Sequence, residues 1–387
     1  MPVPLDEYPL HQVPLSLAHV ASTDRNAYDR SYFNAHNRTD ELFLITGFGV
    51  YPNLGVTDAF ALLRRGDQQS AVHFSDALGD DRLDQRVGAY RIEVIEPLRS
   101  LRLICDDPSL GLSFDLTWEG SFVPVDEPAH VMRIGRKAIL DACRFAQVGT
   151  WQGTLAIDGD EYAVDPATWV GTRDRSWGIR PVGEAEPAGK PADQDPSLHW
   201  LYVPLRFDDF AIVVIVQEQP DGFRILNDAT RIWADGRIEQ LGWPRVDITY
   251  TPGTRHPEHA VIELTTADGP LTLEVDTLLG AHIHVGGGYG GDADWVHGQW
   301  NGPSFSERLT YDLSEPSVAD RVPCLLYTSP SPPDRTRSRL PSSACNKHID
   351  VDVRPILSNH PISRTAWLTT RSNKSPRTET TLQNTHQ

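Results

Sequence analysis

From residue 41 to residue 312 the chain is written in short alternating segments, and nothing else in it limits the possible folds so strongly. "ELFLITGFGVY", "DAFALLRR", "SAVHFSD", "YRIEVIE", "SLRLICD" and "LSFDLTWEGSF" each run for a strand's length between Gly, Asp and Pro clusters. That spacing belongs to an antiparallel meander. In "YRIEVIE", Tyr90, Ile92 and Val94 point one way while Arg91, Glu93 and Ile95 point the other, so one face is wet. Strands return in "VGTWQGTLAIDGDEYAV", whose Asp158-Gly159 is a hairpin signal, and again in "LHWLYVPLRF", "DFAIVVIVQE", "RVDITYTP", "HAVIELTTADGPLTLEVDTLLG" and "SFSERLTYDLS". One segment departs from this period. "AHVMRIGRKAILDACRFA" places Val131, Ile134, Ala138 and Cys143 at roughly helical spacing, which predicts a helix despite Gly135.

The clearest break is "GEAEPAGKPADQDPS", residues 183–197, which lacks an apolar face and reads as a linker. It divides the expected all-β fold into an N-terminal domain, 1–182, and a C-terminal domain, 198–321, each an antiparallel barrel or sandwich. With 387 residues, 39% hydrophobic content and ten tryptophans, the chain can bury real cores. Its net charge of -18 argues against nucleic acid or anionic lipid as partners. "MPVPLDEYPLHQVPLSL" lacks the basic start and unbroken apolar core of a signal peptide, and no apolar run is long enough to insert in a membrane. A cytoplasmic protein is expected. The four cysteines form no C-x-x-C pair, and Cys105 and Cys143 read as structural thiols.

Composition changes again after Arg321. Residues 322–387 hold nine Lys/Arg against four Asp/Glu and lose all hydrophobic periodicity, which predicts a disordered tail. Within it, "CLLYTSPSPPD" resembles the translation of a sequencing-library adapter, with Pro333 in place of the usual arginine. The segment is therefore read as non-native and left out of the fold.

Two stretches carry candidate chemistry. "GTRDRSWGIRPVG" concentrates Arg173, Arg175 and Arg180 around Asp174; on a strand, Arg173, Arg175 and Trp177 share one face and Asp174 the other. Desolvated guanidinium groups need acids, so the cluster is either an ion-pair knot closing the first domain or the polar end of a ligand pocket. "GAHIHVGGGYGGDADWVHGQW" places His282 and His284 two apart, with His297 following and Asp292 and Asp294 between. Either His282, His284 and His297 gather around a metal ion, or a Gly-rich hairpin brings its backbone close to something and a strand then presents Trp295, His297 and Trp300. The second reading is preferred, and neither a metal nor a cofactor is assigned. No phosphate loop, dinucleotide fingerprint or nucleophile elbow occurs. Most tryptophans fall in or beside strand segments, where they fill cores or line a cavity for a flat or elongated lipophile.

The stretches "EPLRSLRLICDDPSLGLSFDLTWEGSF", "RFAQVGTWQGTLAIDGDEYAVDPATWVGTRDRSWGIRPVG", "LHWLYVPLRF" and "GGGYGGDADWVHGQWNG" resemble uncharacterised bacterial proteins related to the hydroxyneurosporene synthase and carotenoid 1,2-hydratase superfamily. The resemblance covers most of residues 30 to 318 and implies two consecutive lipocalin-like (calycin-type) domains with a pocket for a hydrophobic small molecule of terpenoid, steroid or acyl type. It also implies hydration, cyclisation or isomerisation without a redox cofactor, and a C-terminal strand that this chain lacks beyond Val322. Proton transfer is then expected from His297 or His199, with Asp174 as acid or orienting group. Arg173, Arg175, Trp177, Trp200, Tyr202, Tyr289, Trp295 and Trp300 are expected to line the ligand. A non-catalytic carrier and a metal-dependent enzyme are the competing readings, and the sequence leaves the oligomeric state open.

Overall fold

Thirteen strands occupy the first half of the chain: β1 (Ala27–His36), β2 (Leu42–Tyr51), β3 (Val56–Arg65), β4 (Gln68–Ala77), β5 (Arg86–Val87), β6 (Tyr90–Glu96), β7 (Ser100–Cys105), β8 (Leu112–Gly120), β9 (Val125–Asp126), β10 (His130–Ile134), β11 (Lys137–Ile157), β12 (Asp160–Val164) and β13 (Val170–Ile179). After them come β14 (His199–Arg206), β15 (Phe210–Glu218), β16 (Arg224–Trp233), β17 (Ile238–Gln240), β18 (Arg245–Tyr250), β19 (Pro257–Thr266), β20 (Gly269–Thr277) and β21 (Phe305–Asp312). The computed structural model describes residues 2–186, 199–253, 256–289 and 292–319, together with the backbone of 351–352, which pairs with β20. These lie in one compact unit, Met1–Arg354; the second unit, Pro355–Gln387, falls outside the described residues. So do most of the linker and, apart from 351–352, the tail from 322, including the adapter-like stretch. The chain is all-β, and no helix among the described residues is long and apolar enough to cross a membrane.

The first sheet runs β21-β4-β3-β2-β1-β13-β11-β8-β7-β6-β5, with β9, β10 and β12 attached to β11. It curls strongly. Strand β5 comes back against β3 and β4, and the curl closes on Phe33, Leu63 and Phe74 from one side and Tyr90, Trp118 and Trp151 from the other. Trp118 and Trp151 meet edge to face at 5.0 Å, and Trp169 joins the same core. The sheet's concave side carries a continuous cluster of packed side chains, with Trp118, Trp151 and Trp169 among them.

The segment expected to be helical is the hairpin of β10 and β11, turning at Gly135 with φ +59°. Strand β11 is paired on both edges, to β13 and to β8, and this pairing overrides the local spacing of apolar residues. The second sheet, β14-β15-β16-β17, is buried on both faces, as the unbroken apolar run "DFAIVVIVQE" requires. One face, with Trp200, Tyr202, Val213 and Ile215, packs on the convex side of the first sheet. The other, with Leu201, Val203, Ile212 and Val214, packs on β19 and β20 of a third sheet, ordered β18-β19-β20. Strand β21 is hydrogen-bonded to β4, so the first sheet is completed by the far end of the described chain.

Candidate functional site

Polar side chains gather on the convex face of the first sheet, where the second sheet and the loop 278–304 cover it. Along β2, Thr46, Phe48 and Val50 alternate with Ile45, Gly47 and Gly49, and the glycines fall on the covered face. A Cβ at Gly47 would stand 2.7 Å from the Ser31 carbonyl and 2.8 Å from Phe60; one at Gly49 would stand 2.4 Å from the Tyr51 hydroxyl and 2.9 Å from the Asp58 carboxylate. The missing side chains leave a floor on which these groups meet.

Asp58, on β3 and 1% exposed, is the centre of that meeting. Its carboxylate accepts from the Tyr51 hydroxyl at 3.0 Å and from the Gly298 amide at 2.7 Å, and His297 Nδ1 lies 3.6 Å away. Burial, then the adjacent Asp58 charge, holds the Tyr51 phenol well above its usual range, so it stays a donor. His297 is 4% exposed, and neither ring nitrogen hydrogen-bonds to a described residue. Burial, assisted by nearby Arg30, pushes its pKa down to about 4, so the imidazole is neutral at pH 7. Phe60 and Tyr289 stand edge-on to its ring at 5.2 and 5.1 Å. Arg30, from β1, lies 5.1 Å from the centre of the Tyr289 ring; burial opposes its charge, but Tyr51, Tyr289 and Asp58 more than compensate.

The loop that delivers His297 is fastened at several points. The Gln69 amide donates to the carbonyls of His282 and Val285 at 2.9 and 2.7 Å and accepts from the His282 amide at 2.9 Å. His73 bonds the Gly286 carbonyl at 2.6 Å and stacks on Trp295 with ring centres 4.3 Å apart. Gly288 has φ +73°, and a Cβ there would reach within 2.9 Å of the His297 ring. The glycine-rich stretch thus has its backbone in close contact, but the described residues between β20 and β21, 278–289 and 292–304, turn as a loop and do not form the expected strands.

A second group of buried charges adjoins the first. Arg144 of β11 bonds Glu127 through Nε at 2.5 Å and lies over the rings of Trp200 and Tyr202 of β14. Burial, reinforced by Asp174 of β13, raises the Glu127 carboxyl above the usual range against the pull of Arg144. His130 stacks on Trp200 at 5.1 Å and is pushed down to about 3 by burial and by Arg144. Tyr28, Pro128, His130, Leu140, Ala142, Arg144, Ser176 and Arg180 line a crevice of about 10 Å³, room for one water molecule. Arg180 joins the two groups, since its charge acts on both His130 and His297.

Among the residues singled out in the sequence, His297 and Tyr289 fall in the first group and Asp174, Trp200 and Tyr202 in the second. Arg173 points to the concave side, where its Nε donates to Gln147 at 2.7 Å. Arg175 pairs with Asp29 at 3.0 Å, half-exposed, and Trp177 is exposed. The arginines therefore do not close on Asp174 as a knot; strand alternation sends Arg173 and Arg175 away from it. His199 opens β14 opposite Glu218, Trp295 is buried against His73, and Trp300 is half-exposed. His282 lies near His256 and His284, and no group of three or more His, Cys, Asp or Glu among the described residues is placed to hold a metal ion. Sequence reasoning missed Arg30, Tyr51, Asp58, Glu127 and Arg144. The one available signal was "TGFGVY", two glycines on one strand face directly before a tyrosine.

Among solved structures, the chain is similar to kievitone hydratase from Nectria haematococca, at 16% identity over 66% of this chain and 79% of that one, with a TM-score of 0.41. A protein designated AttH from Nitrosomonas europaea gives 13% identity over 66% and 82% with a TM-score of 0.45, and CghA gives 14% over 66% and 77% with a TM-score of 0.43. These values are too low to carry a function across. No curated protein matches the sequence. Residues 3–321 match the model of a family of unknown function, DUF8625, and the chain belongs to that family.

Proposed function

We propose that this protein binds a hydrophobic small molecule of terpenoid, steroid or acyl type between its first and second sheets and moves a proton on it, as a hydratase-type lyase or an isomerase. The observation that carries this reading is His297: a neutral, buried imidazole with both nitrogens unbonded, beside the Asp58 carboxylate. A group of that kind is a general base held ready. His297 takes a proton from the substrate or from an attacking water; Asp58, 3.6 Å from Nδ1, stabilises the imidazolium that forms. Arg30 supports negative charge that develops on a substrate oxygen. Glu127, bonded to Arg144, holds that guanidinium in the adjoining buried group. The crevice has room for only one water, so a ligand enters by displacing side chains of the β10–β11 hairpin.

The test begins with native mass spectrometry of the full chain, followed by denaturation to release the bound molecule. Incubated with the protein in D2O, that molecule is expected to gain deuterium, and His297→Gln to abolish the gain while retaining binding. A released lipophile that never exchanges would make the protein a carrier. A folded but empty protein would argue against a tightly held lipophile altogether.

A further inference from the structure

We propose that Arg180 anchors a carboxylate of the bound molecule, so that the ligand is an apolar acid. This rests on the small-molecule reading above and narrows it. Arg180 follows β13 directly and is 8% exposed, yet among the described residues no carboxylate is within ion-pair distance of it. Its close neighbour is the Tyr28 ring, 5.5 Å from the guanidinium carbon, and the charge nearest to it in effect is the like charge of Arg30. The acids nearby are engaged elsewhere: Asp58 is held by Tyr51 and Gly298, Glu127 by Arg144, and the Asp174 charge also acts on Arg144.

A desolvated guanidinium without an acid lowers stability, and replacing it with an apolar side chain of similar volume would be expected to help. An arginine in that position fits a site completed by an incoming anion. The crevice beside it supplies the place: it is lined by Arg180, Arg144, Ser176 and His130 and admits a group the size of one water, which is the size of a carboxylate oxygen. Because Arg180 also acts on His297 and Tyr289, an acid bound there extends its apolar part toward the Asp58 group.

The experiment is calorimetric titration of the full chain with octanoate and 3-phenylpropionate against octanol and 3-phenylpropanol, in wild type, Arg180→Met and Arg175→Ala. In wild type the acids are expected to bind about tenfold or more tighter than the matching alcohols. Arg180→Met should equalise the two while melting no lower than wild type, and Arg175→Ala, outside the site, should keep the preference. Acids and alcohols binding alike in wild type would overturn the anchor and leave the small-molecule reading standing. An acid preference that survives in Arg180→Met would overturn the anchor too, as would a marked drop in melting temperature, which would mark Arg180 as structural. If none of the four probes binds, the anchor fails together with the pocket. Acid selectivity without proton exchange on any bound acid would keep the anchor and sink the catalytic reading.

Discussion

Gly49 and Gly298 lie where the Tyr51 side chain and Asp58 leave no room for a methyl group. Gly49→Ala forces the Tyr51 hydroxyl off Asp58, and the expected cost is about 1–3 kcal/mol, the usual range for overpacking, read from urea unfolding. Arg175→Ala is expected to cost less than about 1 kcal/mol, because its pair with Asp29 is over a third exposed on both sides. That revises what "TRDRSWG" suggested on its own. The alternation of the stretch was legible, and so was the burial of Arg173 and Asp174 on opposite faces. The surroundings were not: Gln147 beside Arg173, Asp29 beside Arg175 and Arg144 near Asp174 lie far off in sequence, and residue types alone do not say which strands become neighbours.

At the scale of elements, β11 shows why a helix was expected and why it does not form. Met132, Leu140, Ala142, Ala146 and Val148 pack against the second sheet, while the tip near Gly135 is exposed, so the apolar residues are spread by a hairpin and a bend. From Leu140 the covered face keeps a period of 2 through Ala142, Arg144, Ala146 and Val148, but the charge at Arg144 and the turn at Gly135 hide it in the sequence. The loop 278–304 was legible in part. Its glycines signalled close backbone approach, as Gly288 against His297 bears out, but its turns are fixed by Gln69 and His73 of β4. Gln69 is fully buried and makes three hydrogen bonds to the loop. Gln69→Leu leaves those backbone groups unsatisfied and should cost about 2–4 kcal/mol. Hydrogen exchange should then show faster opening confined first to the amides of 282–298; uniform protection would count against the clamp.

Across the whole molecule, burial keeps several histidines neutral. His297 and His282 are pushed down to about 4, His130 to about 3, and His36 to about 4, each chiefly by desolvation, from an ordinary value of 6.5. Between those values the unfolded chain binds protons that the folded chain does not. Their contribution is complete above pH 6.5 and is lost as pH falls toward 4, so the urea midpoint should hold steady from pH 7 to 8 and decline below 6.5. His297→Gln should make that decline shallower; an unchanged slope would mean the ring is already charged in the fold. The all-β class was legible because alternation is local, whereas the partner of β21 was not. That strand carries a consequence for how the protein is made. Glu307 meets His73 across 234 positions of chain, so a nascent polypeptide leaving the ribosome holds β4 as a bare edge until β21 emerges. His297 comes out only just ahead of β21, and the two arrive almost together. Assembly of the site therefore waits for β21, and a prematurely released chain ending before Phe305 would expose an adhesive edge while also lacking the strand that follows the site's loop.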